Sequence, residues 1–158
     1  MHSKTTTLTL LIAFCASAGA AHASQPDTAS MKRVFAKIEK ALRGKNEKLF
    51  KKQWHEKGYA KNLVGGSGLP GRAVFRQGSR KGWYLKPDIA KMRGVPGRRG
   101  GPWIIPCEIY SWKKQRAVDK VWALVAYQRK LKRWIIVGAG EKLAQVEALG
   151  TRYVKGKL

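Results

Sequence analysis

Two apolar runs near the C-terminal end carry the clearest pattern of hydrophobic and polar positions in the chain. Residues 118–127 and 134–139 are rich in Val, Ile, Trp and Tyr, contain no proline, and are joined by a basic link over residues 128–133. β-branched and aromatic residues favour strands, and the lack of proline suits a strand inside a sheet. Both alternating faces of the first run are apolar, which is typical of a strand covered on both sides. The pattern therefore predicts a long β-hairpin.

The N-terminal part of the chain has helical spacing instead. From Ser30 to Arg43 apolar and basic positions fall on opposite faces of a helix, with Ser30 as the expected N-cap and Gly44 as the stop. A second, shorter helix is predicted to begin at Asn46, with Glu47 in its first turn. The residues expected to face inward from these two helices are Met31, Val34, Phe35, Ile38, Leu42, Leu49, Phe50 and Trp54.

A glycine-rich segment over residues 62–72 separates these helices from the rest of the chain. Glycine allows backbone N–H groups to approach an anion closely, so a phosphate-binding loop is one interpretation. The segment lacks the Gly-Lys-Ser/Thr ending of such loops and no convincing strand precedes it, so a plain turn is preferred. A short helix is then expected within residues 73–84.

A long basic loop is predicted over residues 86–101, and a strand over residues 102–112 follows it. Loops of that length in a small domain are usually functional or mobile. Pro106 cannot donate a ladder hydrogen bond, so we expect the strand to lie at a sheet edge or to bulge there. A last helix is predicted over residues 142–149.

The first 23 residues have the pattern of an export signal. Lys4 is followed by an apolar run, and the segment ends in small residues at Ala21 and Ala23, as a signal peptidase requires. The apolar run is shorter than the about 20 residues that a membrane-spanning helix needs, so we expect cleavage and no transmembrane segment afterwards. The expected product is a periplasmic or secreted protein. Its predicted parts are a polar leader (24–29), one α+β domain (30–150) and a basic tail (151–158).

The amino-acid composition excludes some kinds of site in the mature chain. His55 and Cys107 are its only histidine and cysteine, so neither an internal disulfide nor a four-ligand Cys/His zinc site can form. We predict no metal and no cofactor. Cys107 is interpreted as a small buried apolar residue, because nothing in the sequence marks it as activated. An apolar content of 44% with six tryptophans is enough for a single core.

Charge is the strongest compositional feature. The chain has 33 Lys and Arg residues against 9 Asp and Glu, a formal net charge of +24. Such a field attracts nucleic acid, acidic envelope polymers or an anionic envelope surface, with a strong dependence on salt. The alternative is that the charge is general to the exported proteins of the host, and it stays open. The residues predicted to contact a polyanion are Arg98, Arg99, Arg129, Lys130, Lys132 and Arg133.

The order of elements and a few spaced residues resemble a known superfamily. A polar residue that starts the second helix is followed by apolar and aromatic positions and a glycine turn, and a second glycine turn precedes the third helix. The residues concerned are Asn46, Leu49, Phe50, Trp54, Gly58, Leu69, Pro70, Gly71 and Arg72. The pattern, with two closing strands, is similar to the nuclear transport factor two-like superfamily, which includes SnoaL-like and ketosteroid isomerase-like proteins.

The resemblance covers most of residues 30–142 and implies a cone-like fold, with N-terminal helices packed in a curved, mostly antiparallel sheet. Family pockets bind small apolar molecules, and some catalyse isomerisation, dehydration or hydrolysis with a carboxylate or histidine base. Other members are binding or assembly modules, often dimeric through the outer sheet face. The fold alone therefore does not decide the function.

Four residues are candidates for catalysis, each with a structural alternative. The resemblance places His55 near the pocket mouth, where it could act as a base, and the preferred alternative is a histidine at the negative end of a helix. Asp119 shares a strand face with apolar residues, and we favour an ion pair or a place at the strand's solvent end over a catalytic base, as for Glu108. Tyr59 and Tyr84 are the candidate hydrogen-bond donors.

Aromatic residues are the candidates for contact with a small ligand, although they more often belong to the core. The ligand-binding set comprises Trp54, His55, Tyr59, Trp83, Tyr84 and Trp122. We favour an exported, non-catalytic module that binds a small apolar or anionic ligand or a partner, with a homodimer as one option. The alternatives are a cofactor-free lyase, isomerase or hydrolase with His55 or Asp119 as base, and a non-specific polyanion binder.

Overall fold

The computed structural model describes residues 27–96 and 100–158. The predicted signal segment, residues 24–26 of the polar leader and the two loop residues Arg98 and Arg99 lie outside the described residues. Within these ranges, no helix has the length and apolar character needed to cross a membrane.

The described chain is an α+β structure in which five helices pack on a strongly curled antiparallel sheet that forms a half-barrel. The helices are α1 (Thr28–Arg43), α2 (Glu47–Lys51), α3 (Glu56–Ala60), α4 (Gly71–Lys81) and α5 (Leu143–Val154). The strands are β1 (Trp83–Pro87), β2 (Arg93–Gly94), β3 (Trp103–Ser111), β4 (Arg116–Gln128) and β5 (Arg133–Gly140). The strand order is β1-β3-β4-β5, and β2 also pairs with β3. The α+β class is confirmed.

The predicted hairpin is strands β4 and β5, which pair in antiparallel register. In the second half of β4, Val121, Ala123 and Val125 face the core that α1 covers. Leu124 and Ala126 face the opposite way, into the smaller core that includes residues of α5. Coverage on both faces is therefore confirmed for this half, whereas the part of β4 before Val121 is largely exposed.

Helix α1 begins three residues earlier than predicted. Asp27, not Ser30, is the N-cap, and its carboxylate accepts a hydrogen bond from the Ser30 N–H at 3.0 Å. Gly44 ends the helix as expected. The predicted apolar face is buried, because its residues recur at helical spacing against the concave side of the sheet. The predicted residues Met31, Val34, Phe35, Ile38 and Leu42 are all buried, and Ala41 is buried with them.

Helix α2 is capped by Asn46 as predicted, with the side chain accepting from the Leu49 N–H at 2.9 Å, but it ends at Lys51. The next residues bond to strand β5 instead. The Ile136 N–H donates to the carbonyl of Gln53 at 2.8 Å, and the His55 N–H donates to the carbonyl of Ile136 at 2.7 Å. This segment covers part of the free edge of β5, which would otherwise present unpaired backbone groups.

Two short strands replace parts of the predicted helix and loop. The predicted helix is α4, but Gly82 adopts a left-handed conformation with φ of 76° and ends it, so Trp83 and Tyr84 lie in β1. Strand β2 lies inside the segment predicted as a basic loop. Helix α5 continues to Val154 and so takes in the start of the predicted basic tail.

Pro106 lies in β3, which has neighbours on both sides, and it pairs with Trp122 of β4. On its other side, β1 and β2 leave Pro106 between them, and its carbonyl accepts from the Asp88 N–H at 2.8 Å. The missing N–H of proline therefore falls where β3 is locally an edge. The register shift in this strand occurs between Ile109 and Tyr110.

Candidate functional site

His55 precedes α3 and does not end α2, so our expectation of a histidine at the negative end of a helix is wrong. Its ring packs edge-on against the ring of Tyr153 in α5, with 6.0 Å between ring centroids. The Nδ1 atom is shielded from solvent and has no hydrogen-bond partner in the described structure. Burial, and then the charge of Lys57, lower the pKa of His55 below its ordinary value.

The lowered pKa of His55 makes folding stability depend on pH. The unfolded chain takes up a proton at His55 near pH 6.5, while the folded chain resists it to a lower pH. The free energy of unfolding should therefore be highest above pH 6.5 and fall as the pH is lowered from 7.5 to 5.5. Urea denaturation at several pH values measures this, and His55→Gln should flatten the profile. An equal slope in the variant would contradict the assignment.

The other three catalytic candidates have separate surroundings. Tyr59 is buried and its hydroxyl donates to the Glu47 carboxylate; burial and this bond raise the pKa of Tyr59 to about 12. Asp119 is exposed, and its carboxylate accepts from the Lys120 N–H at 2.7 Å, in keeping with a place at the strand's solvent end. Tyr84 lies on β1. Of the four candidates, only Tyr84 lines any of the three hollows described below.

A small apolar pocket lies between α1, α4 and the sheet. Its volume is about 110 Å³, roughly that of three or four water molecules and well below the about 300 Å³ of small ligand sites. Trp83 and Tyr84 line it. Trp54 and Tyr59 belong to the core instead. Trp122 lies on the outer sheet face beneath the Arg93 guanidinium, which is 5.4 Å from its ring centroid, and it lines the larger groove described next.

A larger groove of about 1280 Å³, the edge groove, follows β1, the single-turn helix Ile89–Lys91 and one flank of α1. Its lining contains equal numbers of basic and acidic side chains. They are Lys32, Lys86, Lys91, Lys120, Glu39, Asp88, Glu108 and Glu141. Lys91 and Asp88 form a salt bridge at 2.8 Å. This groove is therefore close to neutral although the chain is strongly basic.

A second groove of about 620 Å³, the hairpin groove, lies between the first half of α1 and the turn of the β4–β5 hairpin. Its charged lining residues are Arg33, Lys37, Lys132, Arg133 and Asp27, and its aromatic ones are Trp103, Tyr127 and Trp134. Tyr127 is 46% exposed and packs edge-on against Trp134, with 5.4 Å between ring centroids. The groove thus combines an excess of positive charge with an accessible aromatic ring.

The positive charge of the hairpin groove is not neutralised by salt bridges. In the described ranges, Lys or Arg pairs with Asp or Glu at Arg43–Glu39, Lys91–Asp88 and Arg93–Glu147. None of these pairs includes a basic residue of the hairpin groove. The groove's one carboxylate, Asp27, accepts from the N–H and hydroxyl of Ser30 at the start of α1.

Two elements bring the four basic residues of the hairpin groove together. Arg33 and Lys37 are one helical turn apart, on the flank of α1 opposite the one that lines the edge groove. Lys132 is left-handed, with φ of 48°, and closes the hairpin turn directly before Arg133. The structure thus brings Lys132 and Arg133, which the sequence predicted to contact a polyanion, close to two further basic residues. These are Arg33 and Lys37, which the sequence placed only on a solvated helix face. Arg129 and Lys130 are exposed on the same turn but do not line the groove.

The described residues offer no metal centre. In residues 27–96 and 100–158, no group of three or more His, Cys, Asp or Glu side chains lies close enough to hold a metal ion. Cys107 is buried, as predicted, and burial raises the pKa of its thiol. The chain matches no protein-family model, no curated protein and no solved structure.

Proposed function

We propose that this protein is an exported, non-catalytic binding module for an anionic polymer, and that the polymer binds in the hairpin groove. The observation that carries the proposal is a set of four basic side chains around one concave surface, none of which forms a salt bridge in the described ranges. A cleft lined by one sign of charge concentrates ligands of the opposite sign. The exposed ring of Tyr127 adds a surface on which a planar or cyclic unit of the polymer stacks.

The other two hollows suit a polyanion less well. The edge groove is larger, but its four carboxylates offset its four lysines. The apolar pocket has too little room for a polymer segment and lies among core side chains. Charge and size together therefore favour the hairpin groove over both.

The architecture is compatible with a binding role but does not by itself distinguish a binding module from an enzyme. We interpret the curled sheet around α1 as the cone-like fold of the nuclear transport factor two-like superfamily, in which both enzymes and binding modules occur. The enzyme alternative has little support, because His55, Tyr59 and Asp119 line none of the hollows and so converge on no common substrate position.

Polymer binding is tested by its dependence on salt. Each phosphate of a single-stranded nucleic acid that is neutralised contributes about −0.7 to the slope of log K against log salt concentration, so four contacts predict a slope of about −3. Fluorescence anisotropy with labelled oligothymidylate, and competition by a heparin fragment, measure the affinity at salt concentrations from about 50 to about 300 mM. Electrostatic binding of this kind changes strongly over roughly that range. Absence of saturable binding at the lowest salt would overturn the proposal.

A further inference from the structure

We propose that the tip of the β4–β5 hairpin is a docking site for an anionic phospholipid bilayer. The hairpin tip comprises residues 129–132, a single turn of 3₁₀ helix followed by Lys132 in a left-handed conformation. The Leu131 side chain enters the bilayer between the headgroups, and the basic side chains on both sides of it contact the lipid phosphates. This inference goes beyond the proposed function, because Arg129, Lys130 and Leu131 do not line the hairpin groove.

The first argument is the exposure of apolar side chains on this hairpin. Leu131 is 51% exposed, the largest exposed fraction of any large hydrophobic side chain in residues 27–96 and 100–158. Tyr127 on the same hairpin follows with 46%, and Leu69 in the glycine-rich segment with 39%. Single exposed apolar residues are common on protein surfaces, so Leu131 becomes informative only together with the charges around it.

The second argument is the uniform positive charge around Leu131. Four of the six residues 128–133 are Lys or Arg, and no Asp or Glu occurs between Asp119 and Glu141. None of these four basic side chains forms a salt bridge in the part of the chain that the structure describes. The carboxylate in the adjoining groove, Asp27, is bonded to Ser30. Basic clusters of this size beside apolar side chains are typical of sites that bind anionic lipid surfaces.

The third argument distinguishes a bilayer from a dissolved polymer. Arg129, Lys130 and Leu131 line none of the described hollows, and no residue of their turn is buried, so the tip is a projecting surface. A broad anionic surface can contact all sides of a projecting turn at once. Its apolar interior also removes the Leu131 side chain from water, which a dissolved polyanion does not do.

The apolar contact is tested by Leu131→Gln, in flotation assays with vesicles of equal parts phosphatidylglycerol and phosphatidylcholine. The chain is used without residues 1–23, because an apolar signal segment would itself bind vesicles. We expect about fivefold weaker binding, the value of burying roughly half a leucine side chain, and the same factor at low and high salt. Leu69→Gln is the matched control outside the hairpin. Equal binding by the two variants would overturn the proposal.

The charged contact is tested by changing Arg129 and Lys130 together to glutamine. Each basic residue near an anionic surface strengthens binding about fivefold, so the double variant should bind about 25-fold more weakly at low salt. The loss should shrink at high salt, because salt screens charges. Vesicles of phosphatidylcholine alone should bind the unchanged protein weakly, and equal binding to both kinds of vesicle would overturn the docking site.

A direct measurement reports whether position 131 enters the bilayer. Acyl chains that carry bromine quench the fluorescence of tryptophan in contact with them, so Leu131→Trp should be quenched more than Leu69→Trp on the mixed vesicles. Equal quenching would contradict insertion. Oligothymidylate titrations separate this site from the hairpin groove, since Leu131→Gln should leave polymer affinity unchanged. If the unchanged protein binds the mixed vesicles but no polymer, the proposed function fails and the docking site stands.

Discussion

Reversing the charge of Lys37 and Lys132 together should weaken oligothymidylate binding at low salt by about 100-fold or more. The double change to glutamate removes two cationic contacts and places two negative charges against the polymer, and like charges in an interface cost several kcal/mol, where 1.4 kcal/mol is tenfold. Both residues line the hairpin groove from different elements, α1 and the hairpin turn. Anisotropy titrations at fixed salt measure the loss.

The matched control is the double change Arg72→Glu and Arg80→Glu. These residues are exposed on α4 and line none of the described hollows, and their reversal alters the net charge by the same amount. If binding follows net charge alone, the two double variants will lose affinity equally, and the groove is not the site. Thermal unfolding of both variants tests whether a loss of affinity results from a change of fold.

Gly58→Ala should destabilise the protein by about 3 kcal/mol, the upper end of the usual range for overpacking. A Cβ atom built on Gly58 would lie 2.0 Å from the carbonyl oxygen of Val137, so α3 would have to move away from β5. Both sides of this contact involve backbone, and no change of rotamer relieves it. Urea denaturation measures the loss as a lower midpoint with little change in slope.

The control for Gly58 is Gly44→Ala at the end of α1. Gly44 has an ordinary negative φ of −84°, and a Cβ there would lie 3.3 Å from the Lys40 carbonyl oxygen, a contact that a small shift relieves. We expect a change within about 1 kcal/mol, as for most substitutions outside tightly packed sites. Similar small effects at both glycines would show that α3 is not held tightly against β5.

The sequence predicts those elements whose signal is local. The hairpin is recognisable because its strands are rich in β-branched and aromatic residues, and α1 because its apolar face recurs at helical spacing. Strand β1 has no such pattern, since its five residues follow a helix and become a strand through pairing with β3, 20 or more residues later in the chain. His55 was misplaced for a related reason, because Gln53 leaves the helical path to bond with β5.

The candidate site is predictable only in part. Lys132 and Arg133 stand out as basic residues in a turn, but Arg33 and Lys37 belong to a helix whose solvent-facing positions are basic almost throughout. Only the tertiary structure shows which flank of α1 meets the hairpin turn. A homodimer through the outer sheet face stays a prediction.

The two flanks of α1 differ in the charge of the grooves that they line. Four of the nine carboxylates of the chain line the edge groove, while the opposite flank carries Arg33 and Lys37. The positive charge is therefore more concentrated along the hairpin groove than along the edge groove, whose carboxylates are offset by four lysines. If the hairpin groove binds a polyanion as proposed, this asymmetry would favour encounters in which the groove faces the polymer, and would raise the association rate constant before any contact has formed.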